Sequence, residues 1–201
     1  NVVLLAGSGD DTVVVTPGAT TAFSLDGGAG NNSLEIDLSA AVDATLEIIP
    51  TLDGGLGSVT ATGNLPVSFA RFEAVDIVGV IDQLAIREDL SPDFADDGNP
   101  DTITLSRAGT QLDVNVVVPQ ISLSIAGIRQ IAVEGSGDAD TLVVDNSGSL
   151  INRDITFNGN DPATAPGDTL AISGDPGMAI ARETYLVGAT QDAGTIILDP
   201  N

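Results

Sequence analysis

Short apolar runs rich in Val, Ile and Thr, bounded by Gly, Asp and Asn, predict an all-β chain, and a repeat among these runs predicts a parallel β-solenoid of tandem strand-turn units. The kind of apolar residue agrees: hydrophobic residues make up 42% of the 201 residues, yet aromatics are only 3% and Trp is absent. Small branched side chains fill thin repeated layers better than they fill a bulky globular core. Tandem β-sandwich domains are the alternative, because strands recurring every ~8–12 residues also suit Greek-key packing.

The elements follow in order. Strands are expected at 2–5, 12–16, 21–25, 33–38, 45–49, 58–61, 66–70, 73–78, 83–87, 102–106, 111–118, 121–125, 130–134, 141–145, 154–157, 169–173, 179–187 and 194–198. Several alternate strictly, as in Ser33-Leu34-Glu35-Ile36-Asp37-Leu38 and Gln120-Ile121-Ser122-Leu123-Ser124-Ile125, so one face is buried and the other wet. Twenty-three Gly and ten Pro punctuate the chain and exclude long helices. The best helix-compatible stretch, 38–44, is short and poorly capped. The segment 81–100, dense in Asp, Pro and Gly, reads as a linker or extended loop.

Self-similarity organises the rest. Leu5-Ala6-Gly7-Ser8-Gly9-Asp10-Asp11-Thr12-Val13-Val14-Val15 matches Val133-Glu134-Gly135-Ser136-Gly137-Asp138-Ala139-Asp140-Thr141-Leu142-Val143-Val144 with one inserted residue. Phe23-Ser24-Leu25-Asp26-Gly27 then matches Ile155-Thr156-Phe157-Asn158-Gly159, and Asn32-Ser33-Leu34-Glu35-Ile36 matches Asp168-Thr169-Leu170-Ala171-Ile172. Gly57-Ser58-Val59-Thr60 has its counterpart in Gly194-Thr195-Ile196-Ile197, and most of the length difference falls in the loop 160–167. The expected organisation is a first unit over 1–80, a linker with additional strands over 81–128, and a second, incomplete unit over 129–201. The opening Asn1, and a first strand without a cap, lead us to expect a window of a longer chain.

Four turns share one pattern: Gly7-Ser8-Gly9-Asp10-Asp11-Thr12-Val13, Gly27-Gly28-Ala29-Gly30-Asn31-Asn32-Ser33-Leu34, Gly135-Ser136-Gly137-Asp138-Ala139-Asp140-Thr141-Leu142 and Pro166-Gly167-Asp168-Thr169-Leu170. These turns resemble the RTX nonapeptide repeats, in which glycines turn the chain and Asp binds calcium in a parallel β-roll. The resemblance covers roughly a sixth of the chain. Ala6 stands for the first Gly, Asn32 for an Asp, and Ala139 is inserted. It implies Ca²⁺ as cofactor, with Asp10, Asp11, Asp26, Asn32, Asp138, Asp140 and Asp168 as ligands. Gly-Asp and Gly-Asn are also good turn chemistry without any ion. Tandem RTX turns adjoin, whereas Gly9 and Gly30 lie 21 residues apart, so sharing an ion would require layers of about that length to stack. The phrase Gly9-Asp10-Asp11-Thr12-Val13-Val14-Val15 is also similar to repeats in large surface proteins of environmental Gram-negative bacteria.

A second acidic run, Glu88-Asp89-Leu90-Ser91-Pro92-Asp93-Phe94-Ala95-Asp96-Asp97-Gly98-Asn99-Pro100-Asp101, lacks the ligand spacing of an EF-hand and reads as a solvated loop.

Composition narrows function. Asp and Glu number 29 against six basic residues, all Arg, for a net charge of −23. Such a chain repels phosphate backbones and anionic bilayers, so neither nucleic acid nor membrane insertion is expected. Without His, Cys or Lys, the usual general bases, thiol nucleophiles, zinc sites and Schiff bases are missing. Carboxylate pairs or Asp-Arg sites on a β-helix, as in polysaccharide-degrading enzymes, remain the enzymatic alternative. The Arg are spread out, however, and are expected to pair with nearby carboxylates. We therefore expect a non-enzymatic structural or adhesive segment of a large secreted or cell-surface bacterial protein, filament-forming and calcium-stabilised. Its partners would be further copies, neighbouring repeats, or a carbohydrate or cell-surface ligand. A calcium-responsive RTX-type folding module is the nearest alternative.

Overall fold

The computed structural model describes residues 1–52, 56–95, 97–116, 121–160 and 167–174, and the backbone of 180–187 and 193–200. The described residues are all-β. Eighteen strands, with two single 3-10 turns at Glu88–Leu90 and Ile125–Gly127, build two sheets. The strands are β1 (Val2–Leu5), β2 (Thr12–Val15), β3 (Phe23–Asp26), β4 (Ser33–Leu38), β5 (Thr45–Ile49), β6 (Leu56–Thr60), β7 (Val67–Ala70), β8 (Ala74–Gly79) and β9 (Ile81–Arg87). They continue with β10 (Thr102–Ala108), β11 (Gln111–Val116), β12 (Ile121–Ser124), β13 (Ile128–Glu134), β14 (Thr141–Asn146), β15 (Asp154–Asn158), β16 (Thr169–Gly174), β17 (Ile180–Val187) and β18 (Ala193–Pro200). The expected strand at 111–118 and the loop at 160–167 extend in part beyond the described residues.

The ten-stranded sheet runs β1-β3-β7-β6-β5-β9-β13-β15-β18-β17, and the eight-stranded sheet runs β16-β14-β10-β11-β12-β8-β4-β2. The chain crosses between them repeatedly. In the first unit β1 pairs in parallel with β3 and β2 with β4; in the later one β13 pairs in parallel with β15 and β14 with β16. Among the described strands, antiparallel pairing is confined to β5-β6-β7, β10-β11-β12 and the β15-β18-β17 corner. Tandem sandwiches would pair antiparallel throughout and would carry a core each. Here one apolar cluster reaches from Val15 on β2 to Phe157 on β15, drawing on both sheets. Strand alternation produces it: Leu34, Ile36 and Leu38 of β4 point inward while Ser33, Glu35 and Asp37 stay half-exposed.

The segment 81–100 departs from the expected linker. Ile81, Leu84 and Ile86 are fully buried, and β9 pairs in parallel with β5 and β13 inside the ten-stranded sheet. Beyond it Phe94 enters the core and Ser91 Oγ donates to the Pro50 carbonyl at 2.7 Å, while residues 97–100 are exposed. Asp and Pro density signals a turn, but it does not reveal whether apolar residues between those signals are buried.

The structure also brings out a correspondence hidden from the glycine signature. Val67-Ser68-Phe69-Ala70-Arg71-Phe72-Glu73-Ala74-Val75-Asp76-Ile77-Val78-Gly79 aligns without a gap on Leu123-Ser124-Ile125-Ala126-Gly127-Ile128-Arg129-Gln130-Ile131-Ala132-Val133-Glu134-Gly135. Val67, Phe69, Phe72, Val75 and Ile77 are buried, and so are Leu123, Ile125, Ile128, Ile131 and Val133. The two copies exchange sheets: β7 is in the ten-stranded sheet and β12 in the eight-stranded one, while β8 and β13 reverse this. The same pattern therefore serves either wall of the core.

Candidate metal centre

Strands of the eight-stranded sheet are preceded by acidic or amide residues that the register stacks into columns. Thr12 pairs with Ser33 and Ser33 with Ala74, which aligns the residues before them, Asp11, Asn32 and Glu73. Thr102 pairs with Thr141 and Thr141 with Thr169, which aligns Asp101, Asp140 and Asp168. Each column is a hydrogen-bond ladder. The Asp11 N–H donates to Asn32 Oδ1 at 3.1 Å, and the Asn32 N–H donates to Glu73 Oε2 at 2.6 Å. In the second column the Asp101 N–H donates to Asp140 Oδ1 at 3.3 Å, and the Asp140 N–H to Asp168 Oδ1 at 2.9 Å. The side chain of one layer thus satisfies the backbone donor that opens the strand of the layer before it, where burial would otherwise leave it unpaired.

The glycine turns stack the same way. The Ala29 N–H donates to the Gly7 carbonyl and the Gly9 N–H to the Ala29 carbonyl, each at 2.8 Å. Gly28 has a φ of +80°, and a Cβ there would lie 2.7 Å from the Gly7 carbonyl carbon, so both its dihedral and its neighbour demand glycine. Layers 21 residues apart therefore do superpose their turns.

The seven residues singled out as calcium ligands fall into two separate groups. Asp10, Asp11, Asp26 and Asn32 belong to the β1–β4 end. There Asp10 accepts the Asn31 N–H at 2.9 Å, and Asp26 is held by Arg71 Nε at 2.8 Å with a second contact from Arg71 Nη2. That guanidinium holds the Asp26 carboxyl below its usual range against the opposing effect of burial, and the Gly28 N–H adds to the lowering. Asp138, Asp140 and Asp168 belong to the β13–β16 end. Asp138 lies at the turn surface and accepts the Gly98 N–H at 2.9 Å.

At this second end stands a cluster that the sequence reading only partly named. Glu88, Asp101 and Asp140 are all buried, with relative exposures of 0%, 8% and 1%. One carboxylate oxygen from each lies within 4.8 Å of the others. The run 88–101 was expected to be solvated; its two ends are instead inside the protein. Glu88 follows β9 at the start of a 3-10 turn, Asp101 precedes β10, and Asp140 precedes β14. Among the described residues neither Glu88 oxygen nor Asp101 Oδ2 meets an N–H or O–H donor, and Glu88 and Asp101 are placed to share a proton. Asp140 is better served, accepting the Ser136 N–H at 2.6 Å and the Ser136 hydroxyl at 3.1 Å.

Burial, with the negative charges of Asp140, Asp101 and Asp138 around it, pushes the Glu88 carboxyl up to about 9. Burial likewise raises Asp101, with Asp97, Asp140 and Asp138 adding to it and the contact with Glu88 opposing it. Asp140 is raised by burial against the lowering effect of the Ser136 and Asp101 N–H groups. The four ion pairs among the described residues engage Asp26, Glu47, Asp89 and Asp82, so none of the arginines with a described side chain compensates the triad. Of the other Arg, Arg107 and Arg153 donate to backbone carbonyls instead of the carboxylates expected of them.

The sequence signal for Asp140 was its glycine turn. Glu88 and Asp101 had none, because they sit outside that motif and meet it only through the parallel register of β9 with β13 and of β10 with β14. Comparison with protein-family models, curated proteins and solved structures returned no match.

Proposed function

We propose that this chain is a structural or adhesive segment of a large secreted or cell-surface bacterial protein, built as a β-solenoid whose layers stack on neighbouring repeats or further copies. The observation that carries the reading is the layering itself. Outside the antiparallel segments β5–β7, β10–β12 and β17–β18, consecutive strands alternate between two largely parallel sheets over one continuous core, and two polar ladders tie strands of neighbouring layers together. A chain organised this way gains stability chiefly from neighbour contacts, which is how extended scaffolds are assembled. The net charge of −23 keeps such an assembly soluble.

The outermost strand of the ten-stranded sheet supports association. All four residues of β1 are exposed, with Val3 at 67% and Leu5 at 73%, and one side of the strand is unpaired among the described residues. An apolar, unpaired edge of this kind favours addition of another strand. Sedimentation velocity tests the reading. The chain associates with rising concentration, and Val3→Lys with Leu5→Lys on β1 holds it as a monomer. A monomer at every concentration that also releases reducing ends from acidic polysaccharides would overturn it in favour of the enzyme alternative.

A further inference from the structure

We propose that Glu88, Asp101 and Asp140 together bind one Ca²⁺, which fastens the connection between β9 and β10 to the layer that follows it. The site does not depend on the scaffold reading, and two of its three ligands lie outside the glycine turns.

Two independent observations point to a ligand. The first is convergence: carboxylate oxygens of residues far apart in sequence lie within 4.8 Å of one another. Calcium-oxygen distances of about 2.4 Å place opposed ligands about 4.8 Å apart, so one ion fits among all three. The second is the state of Glu88. Its side chain is wholly buried, both oxygens lack any donor, and Asp101 Oδ2 is in the same condition. A buried carboxylate needs a cation, a donor or a proton, and here neither donor nor arginine is supplied among the described residues.

The donor set selects the ion. It is all oxygen, which excludes the sulfur and imidazole preferences of zinc and copper. Mg²⁺ holds several waters in a strict octahedron, whereas Ca²⁺ takes carboxylates and carbonyls in looser geometry, as a nearly dry, three-carboxylate cluster requires. The ion would also link Glu88 to Asp140 across the fold, as a cross-link does, in a chain with no cysteine to form a disulfide.

The experiment is calorimetric Ca²⁺ titration of the chelator-treated chain, paired with thermal unfolding followed by circular dichroism. We expect a saturable site of one Ca²⁺ per chain involving this triad. Its loading should raise Tm by roughly 5–10 °C at a hundredfold excess over Kd, with Mg²⁺ much less effective. Glu88→Gln and Asp101→Asn should each weaken this site at least tenfold. Both substitutions should leave the metal-free chain as stable or more so, since each puts a neutral amide of nearly the same volume where buried carboxyls crowd one another. Asp11→Asn, at the other end of the fold, should leave the site unchanged. Absence of saturable Ca²⁺ binding up to about 1 mM would overturn the proposal. Unchanged Ca²⁺ binding in folded Glu88→Gln and Asp101→Asn would do so equally. Should one variant not fold, the other and the wild-type titration still decide.

Discussion

Replacing Gly28 and Gly7 separately by alanine measures how tightly the turns stack. Both glycines have positive φ, +80° at Gly28 and +102° at Gly7, so a side chain at either position strains the backbone by about 1–2 kcal/mol. Their surroundings differ. A Cβ on Gly7 meets nothing within 4 Å, whereas one on Gly28 lies 2.7 Å from the Gly7 carbonyl carbon and closer still to its oxygen. Because the obstacle is backbone, no rotamer change relieves it, and the turns must separate at a further cost of about 1–3 kcal/mol. Gly28→Ala should therefore lose roughly 2 kcal/mol more than Gly7→Ala, or about 4–8 °C more in Tm for a chain of this size. Urea unfolding followed by far-ultraviolet circular dichroism reads the difference as a lower midpoint at unchanged slope. Equal losses in the two variants would refute the reasoning, since a stack that exists only through the shared strain of two isolated turns puts no carbonyl against Gly28.

The polar ladder and the arginine contact yield further outcomes. Asn32→Ala removes a fully buried amide and leaves the Asp11 N–H without its acceptor, so chemical unfolding should show a loss of about 1–3 kcal/mol. Asn32→Asp should lose as much near neutral pH, because the new carboxylate sits beside Glu73 and Asp11, and should recover at acidic pH. The ion pair of Arg71 with Asp26 is half-exposed, at 46% and 25%, so Arg71→Ala should cost no more than about 1 kcal/mol. Its pH dependence has a definite sign. The folded-state pKa of Asp26 is depressed, so its stabilising contribution is present above the ordinary Asp range and is lost as pH falls through the folded pKa. Thermal melts from neutral to acidic pH should therefore show wild type and Arg71→Ala converging at the acid end.

Much of the fold was legible because alternation and punctuation are local signals. The strict pattern of Ser33-Leu34-Glu35-Ile36-Asp37-Leu38 reappears as a strand with every second residue buried, and glycine pairs mark the turns between strands. What stayed hidden depends on register between distant strands. Ile81, Leu84 and Ile86 stand next to an acidic, proline-containing run, and nothing local tells that β9 lies inside a sheet. The gapless match of 67–79 with 123–135 carries no glycine signature except at its end, so a search led by Gly-Asp turns passes over it. Glu88 and Asp101 were hidden for the same reason. Acidic residues near Pro and Gly are solvated in most loops, and only the pairing of β9 with β13 and β10 with β14 brings these two to Asp140.

The two acidic columns show how one layered frame can give the same residue types opposite consequences. In the first, Asn32 takes the middle place: its side-chain oxygen accepts the Asp11 N–H while its backbone N–H donates to Glu73, so Asp11 and Glu73 are kept apart by a neutral group. In the second, Asp140 takes the equivalent place, and Glu88 arrives from the preceding connection with no donor of its own. A frame that needs only an acceptor at the start of each strand is indifferent between Asn and Asp. Charge is where the columns diverge: the first has a neutral amide in its middle place and leaves one oxygen of Asp11 outside the ladder, whereas the second has Asp140 there and gathers Glu88 and Asp101 around it with carboxylate oxygens that the ladder does not use. The excess lies where a long connection crosses between layers, and a cation would fasten that crossing, since parallel pairing does not bind the connection itself.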